Sequence, residues 1–198
     1  MGLADRDGLG ALTMRALGAE LGVEAMSLYK HVANKEAILD GIVELIAGQI
    51  EIPREDVDWT QAMRRRAHSA RAVLVRHSWA IGLLESRAQM GPATMRNLDA
   101  SLGILRSAGF SVADATHALW LLDSFVYGHV VQETSLAPVS ASATSTESTT
   151  AVRDQASAGG YPHLAEVAEH ALAAGYGVDE EFDNGLELIL AALSDPPV

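Results

Sequence analysis

The sequence predicts an all-α protein in two parts, a small helix-turn-helix unit at the front and a larger helical body behind it. Three observations predict this. Apolar residues recur at spacings of three and four along most of the chain, with no alternating strand pattern. Ala and Leu recur constantly while aromatics make up only 5%, a composition that suits helices better than sheets. Capping residues precede the apolar runs, and Gly or Pro follows them, at intervals of helix length.

The first unit runs from Leu12 to Val32. Thr13 is placed to cap a helix whose apolar face is Leu17 and Leu21, four residues apart. Gly22 supplies the left-handed residue that ends it, and Gly18 is small enough to let a following helix approach closely. Val23 is expected to pack inward, and a second short helix starts near Glu24 with Leu28 and Val32 on its buried side. Two short helices joined by such a turn make a helix-turn-helix, although an ordinary helical hairpin fits this pattern equally well. Asn34 then caps a helix carrying Ile38, Leu39, Ile42, Leu45 and Ile46, which stops before Pro53.

The remaining elements follow in order. Asp58-Trp59-Thr60-Gln61 has the form of a capping box opening a helix to about His77. Gly91-Pro92 opens another, marked by Met95, Leu98, Leu102 and Leu105 and closed by Gly109. Ser111 with Asp114 begins a longer helix to about Glu133. From Thr134 to about Gly160 the chain is rich in Ser, Thr and Ala without an apolar period, which predicts a mobile loop. Pro162–Ala174 and Asp179–Leu193 are the last two helices, the second carrying Phe182, Leu186, Ile189, Leu190 and Leu193.

Composition narrows the function. With 48% hydrophobic and 20% charged residues the chain buries a core. It has no Cys, which excludes disulfides and thiolate metal sites. No apolar run approaches a membrane span and the first residues lack a signal-peptide pattern, so the expectation is a cytoplasmic protein without a membrane partner. The net charge of −12 argues against nonspecific polyanion binding. Residues 1–48 carry four basic and seven acidic side chains, a net of −3. A local basic edge is still compatible with this, because screening cuts off fields beyond roughly 8 Å at physiological salt. Both lysines of the chain, Lys30 within the helix-turn-helix and Lys35 just after it, fall in the segment expected to form the DNA-facing edge.

The stretch Leu12-Thr13-Met14-Arg15 through Gly22-Val23, followed by Leu28-Tyr29-Lys30-His31-Val32-Ala33-Asn34-Lys35-Glu36-Ala37-Ile38-Leu39, resembles the DNA-binding signature of TetR-family regulators. The resemblance continues through Ser107-Ala108-Gly109-Phe110-Ser111, the Gly128 region and Gly185-Leu186-Glu187-Leu188-Ile189. It implies a DNA-binding domain over 1–48 and a ligand-binding and dimerisation domain over 49–198. That family has a full helix before the motif, of which Met1–Asp5 would be only the tail. It also implies a homodimer that holds double-stranded operator DNA and is released by a small-molecule effector.

Residue by residue, the resemblance implies phosphate contacts from Thr13, Tyr29 and Lys35 and a guanine contact from Arg15. Glu24, Ala25, Met26 and Ser27 would lead the recognition helix, with the apolar pair suited to thymine methyl groups. Lys30 and His31 would face backbone or base. Each has a plainer role open to it: Arg15 pairing with Glu20 or Asp5, Tyr29 covering the core, His31 packed on the surface.

In the body, Trp79, Leu84, Met90, Met95, Trp120 and Phe125, with Ser124, His129 and Gln132 as polar anchors, are candidates to line a ligand pocket. Ordinary core packing is the plainer account of each of them taken singly. Arg64, Arg65, Arg66, Arg71 and Arg76 read as a solvated face. The positions matching the tetracycline repressor's ligand contacts are Glu51, Arg66, Leu84 and Gln132, and Leu84 and Arg66 do not suit a magnesium–tetracycline ligand. No cofactor or metal is expected. The resemblance places Leu119, Leu122 and Val126 with Phe182, Leu186, Ile189 and Leu190 at the dimer interface, and the more than one apolar side of those helices asks for such a partner, although a central position within one subunit accounts for the same surplus. No catalytic triad, His-Glu-x-x-His spacing or phosphate loop is present, so no enzyme is expected. The competing reading is a small-molecule-binding helical protein whose DNA reader is degenerate.

Overall fold

The structure is a computed structural model that describes residues 1–54, 57–86, 90–140, 145–174 and 177–194. Among the described residues there are helices and turns and no strand. The chain divides into two compact units, Met1–Val130 and Val131–Val198, so the division falls inside a helix.

The first unit opens with α1 (Gly2–Asp7), then a 3-10 turn (Leu9–Ala11), α2 (Met14–Leu21), α3 (Ala25–Leu28) and α4 (Lys35–Ala47). Ala4, Leu12, Leu39, Ile42 and Ile46 make one buried cluster, which also takes in Val73 and Ala80 from the body. The front helices therefore share a core with the body. Leu45, one of the apolar residues that mark α4 in the sequence, is 62% exposed, because Leu39, Ile42, Val43 and Ile46 already complete its inward stripe.

The body continues with α5 (Trp59–Arg76), a 3-10 turn (Ser78–Ala80), α6 (Ile81–Ser86), α7 (Pro92–Ser107) and the first part of α8 (Val112–Ser140). Asp58 caps α5 through the Thr60 amide at 2.9 Å. Trp59 meets Phe110 edge to face at 5.0 Å between ring centroids. The register of α8 buries Ala115, Ala118, Leu119, Leu122, Val126 and Val130, one stripe at spacings of three and four. That register turns Trp120, Leu121, Ser124 and Gln132 outward.

The second unit holds the end of α8, then α9 (Ser145–Ala158), α10 (Pro162–Ala174) and α11 (Val178–Ser194). The segment expected as a loop from Thr134 to Gly160 is largely helical: α8 runs on through Ser140, and α9 begins at Ser145. Residues 141–144 lie outside the described residues. Composition misled here for an identifiable reason. Ala is the strongest helix former, and Ser and Thr fit a helix when their hydroxyls bond back to the preceding turn. Thr150 donates to the Thr146 carbonyl at 2.7 Å, and Ser157 to that of Arg153 at 2.8 Å. Ala156 and Ala168 are buried where α9 packs on α10 across the turn at Gly160.

Candidate nucleic-acid interface and body contacts

The front edge is built from two capped helices and a tight crossing. The Thr13 hydroxyl accepts the Ala16 amide at 3.1 Å and fixes the start of α2. Gly22, at φ 69°, ends α2, and the Val23 amide returns to the Gly18 carbonyl at 2.9 Å. A Cβ on Gly18 would lie 2.8 Å from the Val23 carbonyl oxygen and 3.0 Å from the Ala25 nitrogen, so only glycine permits α3 to cross here. Asn34 caps α4 by accepting the Ala37 amide at 2.9 Å. Leu21 and Val23, expected inside, are 64% and 46% exposed, because Leu17 and Gly18 form the inward face of α2.

The residues expected to touch DNA all come from the start of α2, from α3 and the turn after it, and from the start of α4. Thr13, Arg15, Glu24, Met26, Tyr29, Lys30 and His31 are exposed; Ala25, Ser27 and Lys35 are partly so. Two of them have local duties. Thr13 is the cap just described, and the Ser27 hydroxyl donates to the Glu24 carbonyl at 2.7 Å. Arg15 does not take the acidic partners open to it in sequence. Glu20 is held by Arg6 of α1 at 3.1 and 3.2 Å, and those hydrogen bonds bring its carboxyl below the usual range. Asp5 is engaged elsewhere.

Asp5 projects from α1 to the end of α5, where His77 Nδ1 lies 2.7 Å from its Oδ1 and the Trp79 indole N–H donates to the same oxygen at 2.7 Å. Burial pushes the Asp5 carboxyl up, but the hydrogen bonds and charge of His77, with the bond from Trp79, outweigh it and hold the group below the usual aspartate range. A second link to the body runs from Glu44 of α4, whose carboxylate accepts the Ala93 amide at 2.7 Å.

Inside the body, Arg66 is buried rather than solvated. Its Nη1 donates to Asp123 at 2.6 Å and its Nε to Asn97 at 2.8 Å, and Asn97 in turn donates to the Glu51 carbonyl at 3.2 Å. The signal was readable: Ala62, Met63, Ala67 and Ala70 surround Arg66 on the apolar stripe of α5. Arg65, one residue away, sits outside and pairs with Glu51 at 2.6 Å.

The structure does not gather the candidate pocket residues into one cavity. Met90, Met95 and Trp120 are 61%, 52% and 74% exposed, and Ser124 and Gln132 face outward with Trp120. Trp79 is engaged with Asp5; Leu84 is half-buried, as are Phe125 and His129, whose rings lie 5.9 Å apart. The expected dimer-interface residues differ as well. Leu119, Leu122, Val126, Phe182, Leu186 and Leu190 are at most 4% exposed and Ile189 half-buried, so these side chains are already covered within the single chain. Among the described residues no three acidic or His side chains converge to hold a metal.

Comparison with known proteins adds to this geometry. Residues 1–42 match the family model described as bacterial regulatory proteins, tetR family, and residues 52–195 that of the tetracyclin repressor-like C-terminal domain. The tetracycline repressor protein class C of Escherichia coli is 32% identical over 189 residues, covering 94% of this chain and 83% of that protein. The transcriptional repressor DrrR1 of Streptomyces coeruleorubidus is 32% identical over 128 residues, 64% of this chain; the match spans about half of that protein, 47%. A possible TetR family regulator from Streptomyces coelicolor superposes with a TM-score of 0.77 at 30% identity, over 98% of this chain and 94% of that one. ActR of the same organism, crystallised with actinorhodin, gives 0.79 at 27%, over 98% and 91%.

Proposed function

The chain belongs to the TetR family of bacterial regulatory proteins, and from that premise we propose that it is a ligand-released repressor that reads operator DNA as a homodimer. The observation that carries this reading is the front edge. Arg15, Tyr29 and Lys30 are exposed on one stretch with the start of α4, while two acids of the front helices, Glu20 and Asp5, are engaged with Arg6 and with His77 and Trp79. Exposed basic and hydroxyl side chains of this kind are what phosphate and major-groove contacts require.

A homodimer follows from the geometry of DNA, since two reading helices must reach half-sites about 34–36 Å apart. The outward face of α8 in the first unit, with Trp120, Leu121, Ser124 and Gly128, supports an interface there, large apolar groups flanking small ones. ActR is described in complex with actinorhodin, and by analogy the effector is a small organic molecule. Arg66, committed to Asp123 in the body, disfavours a bound divalent cation at that position.

Selection of double-stranded fragments from the source genome by the purified protein, followed by gel-shift titration, tests the proposal. Retention of discrete fragments, with affinity falling steeply in salt, is expected. A protein that retains no fragment above background would leave the competing reading, a helical small-molecule binder with a degenerate reader, in its place.

A further inference from the structure

The N-terminus of α7 is capped by a residue of another helix. Gly91, its N-cap residue, has no side chain to offer, and Pro92 has no N–H. The amides of Ala93 and Thr94 are the next donors without an acceptor in their own helix, and both reach Glu44 of α4. Ala93 donates to Oε2 at 2.7 Å, and the Thr94 amide and hydroxyl donate to Oε1 at 3.4 and 3.3 Å. A carboxylate at this end of a helix is favoured twice, by charge-assisted hydrogen bonds and by the helix dipole.

Two glycines fit this arrangement. A Cβ on Gly48, at the end of α4, would lie 3.8 Å from that of Ala93, so the two helices approach closely beside the carboxylate. Gly91 has an extended backbone open to any residue, φ −81° and ψ 172°, yet a Cβ there would overlap the Glu44 side chain. Glycine at 91 keeps room for a cap delivered by α4.

We infer that Glu44 is a positioning residue for DNA binding, a hook that sets the orientation of the reading edge by fastening α4 to the first turn of α7. The inference rests on the regulator reading above. Its logic is mechanical: Leu39, Ile42 and Ile46 of α4 share a core with Ala4 and Leu12, so the front helices follow α4. Neither Glu44 nor the start of α7 is among the residues assigned to DNA. Their effect on affinity runs through the pose alone.

Serine at position 91 separates this role from simple helix capping. Gly91→Ser supplies its own hydroxyl to the first-turn amides while pushing the Glu44 carboxylate aside. On fragments retained by the unmutated protein, Glu44→Ala and Gly91→Ser should each weaken binding about tenfold, the scale of a typical coupling between sites. The salt slope should not change, because no phosphate contact is removed. Gly91→Ser should keep its melting temperature. The chain has no Cys, and the 3.8 Å Cβ separation suits a disulfide, so Gly48→Cys with Ala93→Cys makes a reversible lock. Oxidising that pair in the Gly91→Ser background should restore binding, and reduction should remove it again. Full affinity in Gly91→Ser, or an oxidised lock that leaves its affinity unchanged, would overturn the inference. Failure of the unmutated protein to retain DNA would instead fall on the regulator reading. The hook itself is then read by amide hydrogen exchange: Glu44→Ala should speed exchange at Ala93 and Thr94, and unchanged protection there would remove the hook.

Discussion

At the scale of single residues, hydrogen-bond commitments separate side chains that specify from side chains that support. Arg15 is exposed, with Glu20 taken by Arg6 and Asp5 by His77 and Trp79, so Arg15→Ala should cost about 1–3 kcal/mol of operator binding and relax preference at one base pair. Lys35→Ala should weaken all sequences evenly and flatten the salt slope by about one. Titrations of both variants on selected and scrambled fragments would expose a wrong assignment as identical behaviour. Asp5 belongs to the supporting set and predicts a pH effect. Its folded carboxyl titrates below the model-peptide value of 3.8, so its contribution is present above that pH and lost as pH falls through the folded-state value. Acid unfolding of Asp5→Asn should therefore show a shallower loss of stability below pH 3.8 than the unmutated chain; coincident curves would contradict the linkage. The caps at Thr13, Asn34 and Asp58 were legible from sequence because capping is local. The partners of Asp5, Arg66 and Glu44 were not, since they lie 72, 57 and 49 residues away along the chain and depend on how helices pack.

At the scale of elements, α2 and α3 form a crossing that sequence fixes with one glycine. A methyl group on Gly18 meets the backbone of Val23 and Ala25, and backbone has no rotamer with which to yield. Gly18→Ala should cost about 1–3 kcal/mol, as overpacking does, and weaken DNA binding beyond its effect on the melting temperature. An equally stable Gly18→Ala protein would show that the crossing relaxes. Helix α9 illustrates the opposite case, where composition points to a loop and the fold supplies a helix. An Ala-rich, Ser/Thr-rich stretch has little apolar surface of its own, but Ala156 is 2% exposed once α10 lies against it. Tertiary packing, invisible in a single-sequence window, decides the outcome. Amide exchange should show protection through Thr149–Ala158 comparable to that of α10, and exchange at the rate of an unstructured peptide would return the segment to a loop.

At the scale of the whole molecule, the regulator reading asks an acidic protein to place a local basic edge on a polyanion, and on that reading a second copy is what makes the edge sufficient. One chain offers few phosphate contacts, so a pair acting on two half-sites gains from effective concentration what each lacks in charge. The sequence marks α8 as a helix with more than one apolar side, but periodicity alone does not say which of its sides the chain keeps. Leu119, Leu122 and Val126 go to the core, at 4%, 1% and 0% exposure, while Trp120 and Leu121 remain at 74% and 47%. A large indole left in water on a helix that also presents Ser124 and Gly128 is an apolar surface in need of a cover. The two faces therefore predict different failures. Trp120→Asp should leave a folded chain with an unchanged helical spectrum that sediments as a monomer at micromolar concentration and holds its operator far more weakly. Leu122→Asp should unfold the first unit outright, because it puts a charge at a position only 1% exposed. Sedimentation and circular dichroism on the two variants distinguish an interface from a core. If Trp120→Asp sediments as the unmutated chain does and binds DNA equally well, the second copy does not dock on this face of α8.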